Sequence, residues 1–296
     1  MATGLRSWKS YIANLNTCSR GMVCTRVRAE GGDRSYSFVH LEPAQYVWGA
    51  LAAFIIGFAK TGVPGSGIVM VPMMAAVFGG RLSVGATLPM LVFADCFAVA
   101  FYRTHAQWSH LKVLAPWVIG GLIAGTGLLD YLGTHPSKTD YLGPIIGGLV
   151  LIMLGLSMLR GKLGDRLVPH SPEGRAVTGV VAGFSTMVSN AAGPVMAIYM
   201  TAAGLAKEQL MGTTAWYFFI FNLSKVPLLL WLTWRHPDMP MITKPTFIFN
   251  LWMFPVILVA AFFGRWVLPR IPQKPFNNTV LVLATLAALY LFLPKR

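Results

Sequence analysis

Apolar runs follow one another from residue 44 almost to the end of the chain, and most are long enough to cross a membrane. They cover 44–60, 67–79, 83–102, 113–132, 141–159, 176–206, 211–234, 246–269 and 276–293. A helix of about 20 apolar residues spans the hydrocarbon core of a bilayer. Only 11% of the 296 residues are charged, whereas a soluble domain carries about a quarter. The pattern predicts an all-α, multi-pass membrane protein with about eight spans.

The charge of the chain is strongly positive, with a net value of +14. In a soluble protein such an excess would favour nucleic-acid binding. Here most of the bases lie in the amino-terminal tail or between apolar runs, where they set the orientation of the chain in the membrane. We therefore expect the lipid bilayer, and no nucleic acid, as a partner.

Residues 1–43 differ in composition from the rest of the chain. The bases of this segment are Arg6, Lys9, Arg20, Arg26, Arg28 and Arg34, with no acid before Glu30. We expect a basic, disordered tail. The alternatives are an organellar targeting segment, which is also rich in arginine and poor in acids, and a true start at Met22.

The stretch "GFAKTGVPGSG", residues 57–67, interrupts two apolar runs. Proline lacks a backbone donor and glycine favours unwinding, so a continuous helix is not expected here. Inside a bilayer such backbone is tolerated where protein buries it or where it lines a polar cavity. The helix that restarts near residue 67 would direct NH groups and a positive dipole end into the break. The candidate substrate-binding residues are Lys60, Thr61, Gly62, Pro64, Gly65 and Ser66.

A second interruption, "SNAAGP" at residues 189–194, occupies the corresponding place in the second half of the chain. "GFAK" at Gly57 matches "GFST" at Gly183, and "VGATLPMLVFAD" from Val84 aligns with "MGTTAWYFFIFN" from Met211. We predict two homologous repeats, 44–159 and 176–296, joined by a cytoplasmic linker, 160–175. The second interruption adds Ser189, Asn190 and Gly193 to the candidate site.

Two broken helices in corresponding positions of two halves are typical of a transporter binding site. The free NH groups and Lys60 indicate that the ligand is an anion. The competing interpretation is a glycine-rich packing site in which Lys60 extends to a lipid headgroup.

Asp95 lies near the middle of the run 83–102, and a carboxylate at that depth usually has a partner and a role. Lys60 and Lys225 are the available bases within apolar runs. Asp95 is therefore either structural, as half of an ion pair between two helices or as a protonated group with a local hydrogen bond, or a carboxylate whose protonation is coupled to transport. The alignment places Asn222 opposite Asp95, and Lys225 follows Asn222 on the same helical face. The alternative for Lys225 is a position near the membrane interface, flanked by tryptophan.

The topology follows from the path of the broken regions. If each crosses once, both termini and residues 160–175 share a side, and the distribution of bases makes that side the cytoplasm. If 44–79 instead forms a span and a re-entrant hairpin, the count changes. This choice decides whether the two repeats are parallel or inverted, and the sequence leaves it open.

Metal and enzyme chemistry find little support in the sequence. All six histidines lie in the tail or between apolar runs, and no HExxH or GxxxxGK[ST] motif occurs. An intramembrane protease would need paired aspartates, a metal motif or a serine with a nearby base, but only one carboxylate is central. We expect no metal, no cofactor and no enzyme activity. A non-transporting assembly factor or receptor, or a channel, remains the alternative to a carrier.

Three stretches resemble the TauE/SafE family of sulfite and organosulfonate exporters. They are "GFAKTGVPGSG", "RLSVGATLPMLVFADCFAVAFYR" and "GFSTMVSNAAGPVMAIYMTAAGLAKEQLMGTTAWYFFIFNLSKVP". The likeness covers most of residues 44–293 and leaves the tail outside. It implies a plasma-membrane transporter, built from two repeats, for a small sulfur-containing anion. Members of the family differ in the anion that they move.

Overall fold

The structure, a computed structural model, describes residues 22–26, 36–40, 43–63, 65–135, 142–163, 172–267 and 270. The helices in these ranges are α1 (Pro43–Thr61), α2 (Met70–Phe78), α3 (Gly80–Tyr102), α4 (Trp108–Thr134), α5 (Leu142–Leu163), α6 (Pro172–Ser189), α7 (Gly193–Ala202), α8 (Lys207–Arg235) and α9 (Lys244–Val267). Two 3-10 helices cover Ser66–Val69 and Arg103–His105. In the tail, β1 (Met22–Arg26) pairs antiparallel with β2 (Tyr36–His40). The rest of the predicted tail and the run 276–293 lie outside the described residues.

Among the described residues, four helices are long and apolar enough to cross a membrane. They cover Gly80–His105, Trp108–Thr134, Lys207–Arg235 and Lys244–Val267. Their outward faces carry large apolar side chains, such as Ile123 at 65% exposure and Trp252 at 72%. A water-soluble fold would bury such residues, whereas lipid accepts them. The predicted multi-pass helical membrane fold is therefore confirmed at this level.

One end of the helix bundle gathers the start of α1, the end of α2 and the start of α3. The side-chain amide of Gln45 donates to the Val77 carbonyl at 3.2 Å. Arg81 donates to the carbonyls of Leu129, near the end of α4, at 2.7 Å and of Met239, after α8, at 3.0 Å. We call this the tail end, because the amino-terminal tail joins the bundle here.

The opposite end gathers the end of α3, the starts of α4 and α8, and the end of α7. His105 lies 3.3 Å from the Glu208 carboxylate. The hydroxyl of Tyr199, on α7, lies 3.3 Å from His110 Nδ1, in the first turn of α4. We call this the linker end, because α6, which includes the last residues of the linker 160–175, begins here.

Helices α3 and α8 run in opposite directions. Near the tail end, Gly85 lies so close to the chain after α8 that a Cβ would be 1.9 Å from the Met241 carbonyl oxygen. Near the linker end, Gly212 of α8 lies against the Tyr102 carbonyl at the end of α3. The start of each helix therefore lies beside the end of the other.

Helices α4 and α6 run in the same direction and are packed backbone to backbone. Gly179 lies against Trp117, near the start of α4, and Gly183 lies against the Val118 carbonyl, where an added Cβ would be only 2.1 Å away. Because α4 begins at the linker end, α6 also enters from there. Helix α7 then returns to the same end, where Tyr199 meets His110.

These contacts bear on the path of the chain, which the sequence leaves open. Each broken segment, 43–78 and 172–202, starts and finishes at the same end of the bundle. For the first segment this path matches the alternative of a span with a re-entrant hairpin. The two segments start at opposite ends of the bundle.

Candidate functional site

The first interruption separates α1 from the 3-10 helix at Ser66. Helix α1 ends at Thr61, and the Gly62 NH still bonds to the Phe58 carbonyl at 2.7 Å. Gly65 then adopts a φ of 86°, a left-handed conformation that side chains with a Cβ rarely adopt. The helix is therefore interrupted at a position where glycine can adopt the left-handed conformation. Pro64, a predicted site residue, lies outside the described residues.

The second interruption separates α6 from α7. Helix α6 ends at Ser189, Asn190 has a φ of 58°, and α7 begins at Gly193. Asparagine is among the few residues that tolerate the left-handed region. Its amide nitrogen donates to the Val84 carbonyl of α3 at 3.1 Å, which ties the break to a long helix.

The two interruptions meet inside the bundle. A Cβ added to Gly193 would lie 3.3 Å from the Gly65 Cα, and one added to Gly65 would lie 3.7 Å from the Gly193 carbonyl oxygen. The segments enter from opposite ends, so their tips can meet only deep between the long helices. The structure thus joins two sequence stretches that lie more than 120 residues apart.

Lys60 and Asp95 form a buried ion pair beside this meeting point. Lys60 Nζ lies 2.7 Å from Asp95 Oδ1, and Asn222 donates to the other carboxylate oxygen at 2.7 Å. The Lys60 ammonium also lies 3.7 Å from the ring centre of Phe218, a cation–π contact. Lys60 therefore points into the protein, and the alternative in which it extends to a lipid headgroup is wrong.

Lys225 is also buried, at 0% exposure, but its hydrogen-bond partners are neutral. Its ammonium donates to the Thr186 carbonyl at 2.7 Å and, through a short contact, to the side-chain oxygen of Asn190. No carboxylate lies within ion-pair distance of Lys225 among the described residues. The alternative that places Lys225 near the interface is wrong.

The local charge balance is positive. With both lysines protonated and Asp95 ionised, the cluster carries two positive charges and one negative, a net charge of +1. An uncompensated charge in a low-dielectric interior costs several kcal/mol. An anion bound nearby would offset that cost.

A cavity of about 50 Å³ lies between the two interruptions and α8. This is enough space for a few water molecules or one small anion. It is lined by Ile56, Ala59, Lys60, Gly65, Gly67, Ile68, Met70, Leu91, Thr186, Asn190, Gly193, Met211, Thr214, Ala215, Phe218 and Asn222. Its α8 residues belong to the half of that helix nearer the linker end, so the cavity extends from mid-bundle towards the linker end.

The predicted site residues divide into two groups. Lys60, Gly65, Asn190, Gly193 and Asn222 line the cavity. Asp95 and Lys225 contact these lining residues from behind. The cavity therefore has a polar end built from both halves of the chain.

The remaining predicted side chains do not line the cavity. The hydroxyl of Thr61 donates to the Ala261 carbonyl at 2.7 Å, that of Ser66 to Val63 at 2.7 Å and that of Ser189 to Ser185 at 2.8 Å. Each of these hydroxyls is therefore satisfied by a backbone carbonyl.

Some of the expected free NH groups are also occupied. The NH groups of Ser66 and Ile68 bond to carbonyls of the same turn, and those of Asn190 and Ala191 bond to carbonyls of α6. The charge of the lysines therefore contributes more to the site than the sequence suggested, and these four backbone donors contribute less.

Sequence reasoning missed Thr186, Thr214 and Phe218, which also line the cavity. A signal for two of them was present, because Thr214 and Phe218 precede Asn222 by eight and four residues on α8. Residues at this spacing share a helical face.

The described residues contain no group of three or more histidine, cysteine, aspartate or glutamate side chains that could hold a metal. The polar groups at the cavity are instead cationic or neutral, and such groups favour an anionic ligand.

The comparison with family models decides the family. The model for "Sulfite exporter TauE/SafE" matches residues 49–291. The chain belongs to the TauE/SafE sulfite exporter family. The match spans both interruptions, Asp95 and both buried lysines, so the site described above lies within the family region. Comparisons with curated proteins and with solved structures give no significant match.

Membership of TauE/SafE carries the broad function. The chain is a multi-pass membrane protein of a transporter family. The family is described as one of exporters.

Proposed function

We propose that this TauE/SafE protein is a secondary transporter that exports a small anion, sulfite or an organosulfonate, across the plasma membrane. The observation that carries the proposal is Lys225, a buried cation with neutral partners beside the cavity. Its uncompensated charge favours a monovalent anion, or a divalent one that brings a proton.

The cavity is suited to an anion with an apolar part. Most of its lining is aliphatic or aromatic, and its charged and amide groups lie at the end where the interruptions meet. A sulfonate group at the polar end would leave a short carbon chain against residues such as Leu91 and Met211. The same cavity accepts sulfite at its polar end alone.

We infer that the two halves are inverted repeats. Three observations support this. Helices α3 and α8 run in opposite directions, and the two broken segments enter the bundle from opposite ends. In addition, Asn222 donates a hydrogen bond to Asp95, its predicted counterpart. A pair of equivalent positions in contact is expected at the axis that relates two halves. Inverted repeats allow alternating access around a central site.

In such a cycle the state described is closed at the tail end. Asp130 Oδ1 accepts hydrogen bonds from Arg235 and His236, each at 2.7 Å, and Arg81 bridges α3 to α4 there. At the linker end the contact between His105 and Glu208 is longer, 3.3 Å, and more exposed. The ligand would therefore enter this state from the linker end.

We propose that the linker end faces the cytoplasm. Four bases, Arg160, Lys162, Arg166 and Arg175, lie between the last turn of α5 and the first turn of α6, and short segments rich in bases tend to face the cytoplasm. An exporter closed at its outer end also has to load from the cytoplasm. Under this proposal the amino-terminal tail faces outward. A cysteine at Leu167 should resist an impermeant thiol reagent in intact cells, and labelling from outside would reverse the assignment.

The function is tested by flux. Proteoliposomes that contain the purified protein should take up radiolabelled sulfite down its concentration gradient. A short alkyl sulfonate should compete and reduce this uptake. Empty liposomes give the background, and the Lys225→Met variant gives a matched protein control. If wild type matches empty liposomes for sulfite and for the sulfonate, the protein is not their transporter, and a non-transporting assembly role would replace this proposal.

A further inference from the structure

The hydroxyl of Thr214 is a buried polar group without a partner. The residue is 8% exposed, and Oγ1 makes no hydrogen bond within the described part of the chain. Of the side-chain atoms there that are buried and lack both a hydrogen bond and an ion pair, it is the one that belongs to the cavity lining. An unsatisfied hydroxyl in a membrane interior is costly, so a bound ligand is the natural partner.

Other buried threonines of the long helices behave differently. The hydroxyls of Thr87, Thr126 and Thr213 donate to the carbonyl one turn earlier, at 2.6, 2.8 and 2.6 Å. This back-bond is the usual way in which threonine is satisfied inside a helix. Thr214 does not make it, although Thr213, its direct neighbour, does.

Thr214 lies on the same face of α8 as the charged end of the cavity. Phe218 follows it by one turn, and the Lys60 ammonium lies 3.7 Å from the Phe218 ring centre. Asn222, one turn further, holds Asp95. A ligand in the cavity therefore has the Thr214 hydroxyl towards the linker end and the lysine charges towards the middle of the bundle.

We propose that the Thr214 hydroxyl donates a hydrogen bond to the transported anion and makes the site selective for oxyanions over halides. A polyatomic oxyanion presents separate oxygen acceptors to the hydroxyl and to a lysine ammonium. A halide of the same charge is a single centre and cannot use donors set apart along the cavity. The inference rests on the proposed anion site and adds a specificity residue to it.

The test uses the full chain, purified in detergent, with sulfite and chloride as probes. Dissociation constants come from calorimetry, and stability comes from thermal unfolding without ligand. Thr214→Val removes the hydroxyl and keeps the shape. We expect it to weaken sulfite binding about 10- to 100-fold, the range for a hydrogen bond to a charged group. Chloride binding should change less than threefold, so the selectivity falls.

Stability separates binding from structure. Removing an unsatisfied buried hydroxyl should leave the unliganded melting temperature unchanged or raise it. Thr214→Ser should restore sulfite binding to within about threefold of wild type. The matched control is Thr126→Val, which removes a back-bonded hydroxyl of α4 that lies away from the cavity and should leave sulfite affinity unchanged. Thr214→Ala provides a second variant if Thr214→Val does not fold.

The outcomes are distinct. If wild type binds neither probe, the anion site and this inference both fail. If wild type binds sulfite, Lys225→Met does not, and Thr214→Val binds it normally, the anion site stands and the role of Thr214 is overturned. A lower unliganded melting temperature with unchanged selectivity would make Thr214 structural, which also overturns it.

Discussion

Lys60 and Lys225 both lie beside a helix interruption, with 13% of the Lys60 side chain exposed and Lys225 fully buried, but their partners differ. Lys60 faces a carboxylate, Asp95, at 2.7 Å, so its charge is balanced within the protein. Lys225 faces a backbone carbonyl and an amide oxygen, which are neutral. A paired buried charge favours a fixed arrangement of helices, whereas an unpaired one favours a ligand of opposite charge. From this difference we propose that the first lysine is mainly structural and that the second mainly binds the anion.

The largest effect on transport is expected from Lys225→Met. The variant keeps the length of the side chain and removes the charge that attracts the anion, so sulfite flux should fall at least about 100-fold, near the upper range for a hydrogen bond between charged groups. The substitution leaves the Thr186 carbonyl and the Asn190 side-chain oxygen without a donor, which destabilises the fold, but it also removes a buried charge, which stabilises it. The free energy of unfolding should therefore change by no more than about 1–2 kcal/mol. Flux in proteoliposomes and thermal unfolding measure the two quantities. Transport near the wild-type rate would show that the charge of Lys225 is not needed for anion binding.

Lys60→Met should affect stability most. It leaves Asp95 buried without its cation, and breaking a buried pair costs about 3–5 kcal/mol. Chemical or thermal unfolding in detergent reports the loss.

The double variant Lys60→Met with Asp95→Asn is the control, because it removes both charges and should recover most of that stability. If the single variant is as stable as wild type, Asp95 does not depend on Lys60. If the double variant folds but its flux loses the pH dependence of wild type, Asp95 also has a role in coupling.

Asn222→Asp should sharpen the comparison by cancelling the net positive charge. A second carboxylate beside Asp95 would lower sulfite affinity by roughly tenfold, as expected for about 1.4 kcal/mol of like-charge repulsion. The loss should grow as pH rises, because the added carboxylate is protonated at low pH and charged at high pH. Asn222→Leu is the control, since it also loses the hydrogen bond to Asp95 but adds no charge. Equal binding curves for the two variants would argue against an electrostatic site.

The smallest effect is expected from Gly65→Ala. The space around Gly65 accepts a methyl group, with the nearest atom, the Ala197 Cβ, at 3.4 Å. The cost is therefore conformational, about 1–2 kcal/mol for a left-handed residue. Gly204→Ala is a matched control, since Gly204 has a φ of 72° and no neighbour within 4 Å of an added Cβ. Both variants should lose similar stability, but only Gly65→Ala should slow flux. Equal flux would make the first interruption a packing feature.

The sequence was sufficient for the helices and for most of the charged cluster. The apolar runs predict the long helices because lipid-facing and core-facing positions are both apolar in a membrane. Lys60, Asp95 and Lys225 stand out because ionisable residues inside such runs are rare. The alignment of Asp95 with Asn222 identifies positions that the structure shows in contact.

The path of the chain could not be predicted in the same way. Whether 43–78 crosses or returns depends on contacts such as that between Gln45 and Val77, which lie 32 residues apart and carry no charge signal. Bases occur at both ends of the bundle, so their distribution did not decide between parallel and inverted repeats. Thr214 was missed because a threonine in an apolar helix is normally satisfied by its own backbone.

Locating a bound anion tests directly whether Lys225 binds it. Selenite has the shape and charge of sulfite, and its selenium atom can be located by anomalous scattering in crystals of the full chain. We expect a selenium peak in the cavity between Gly65, Asn190 and Phe218, within reach of the two lysines, and no peak there in Lys225→Met crystals. A peak at another place, or the same peak in the Lys225→Met variant, would contradict the assignment of Lys225 as the charge that binds the anion.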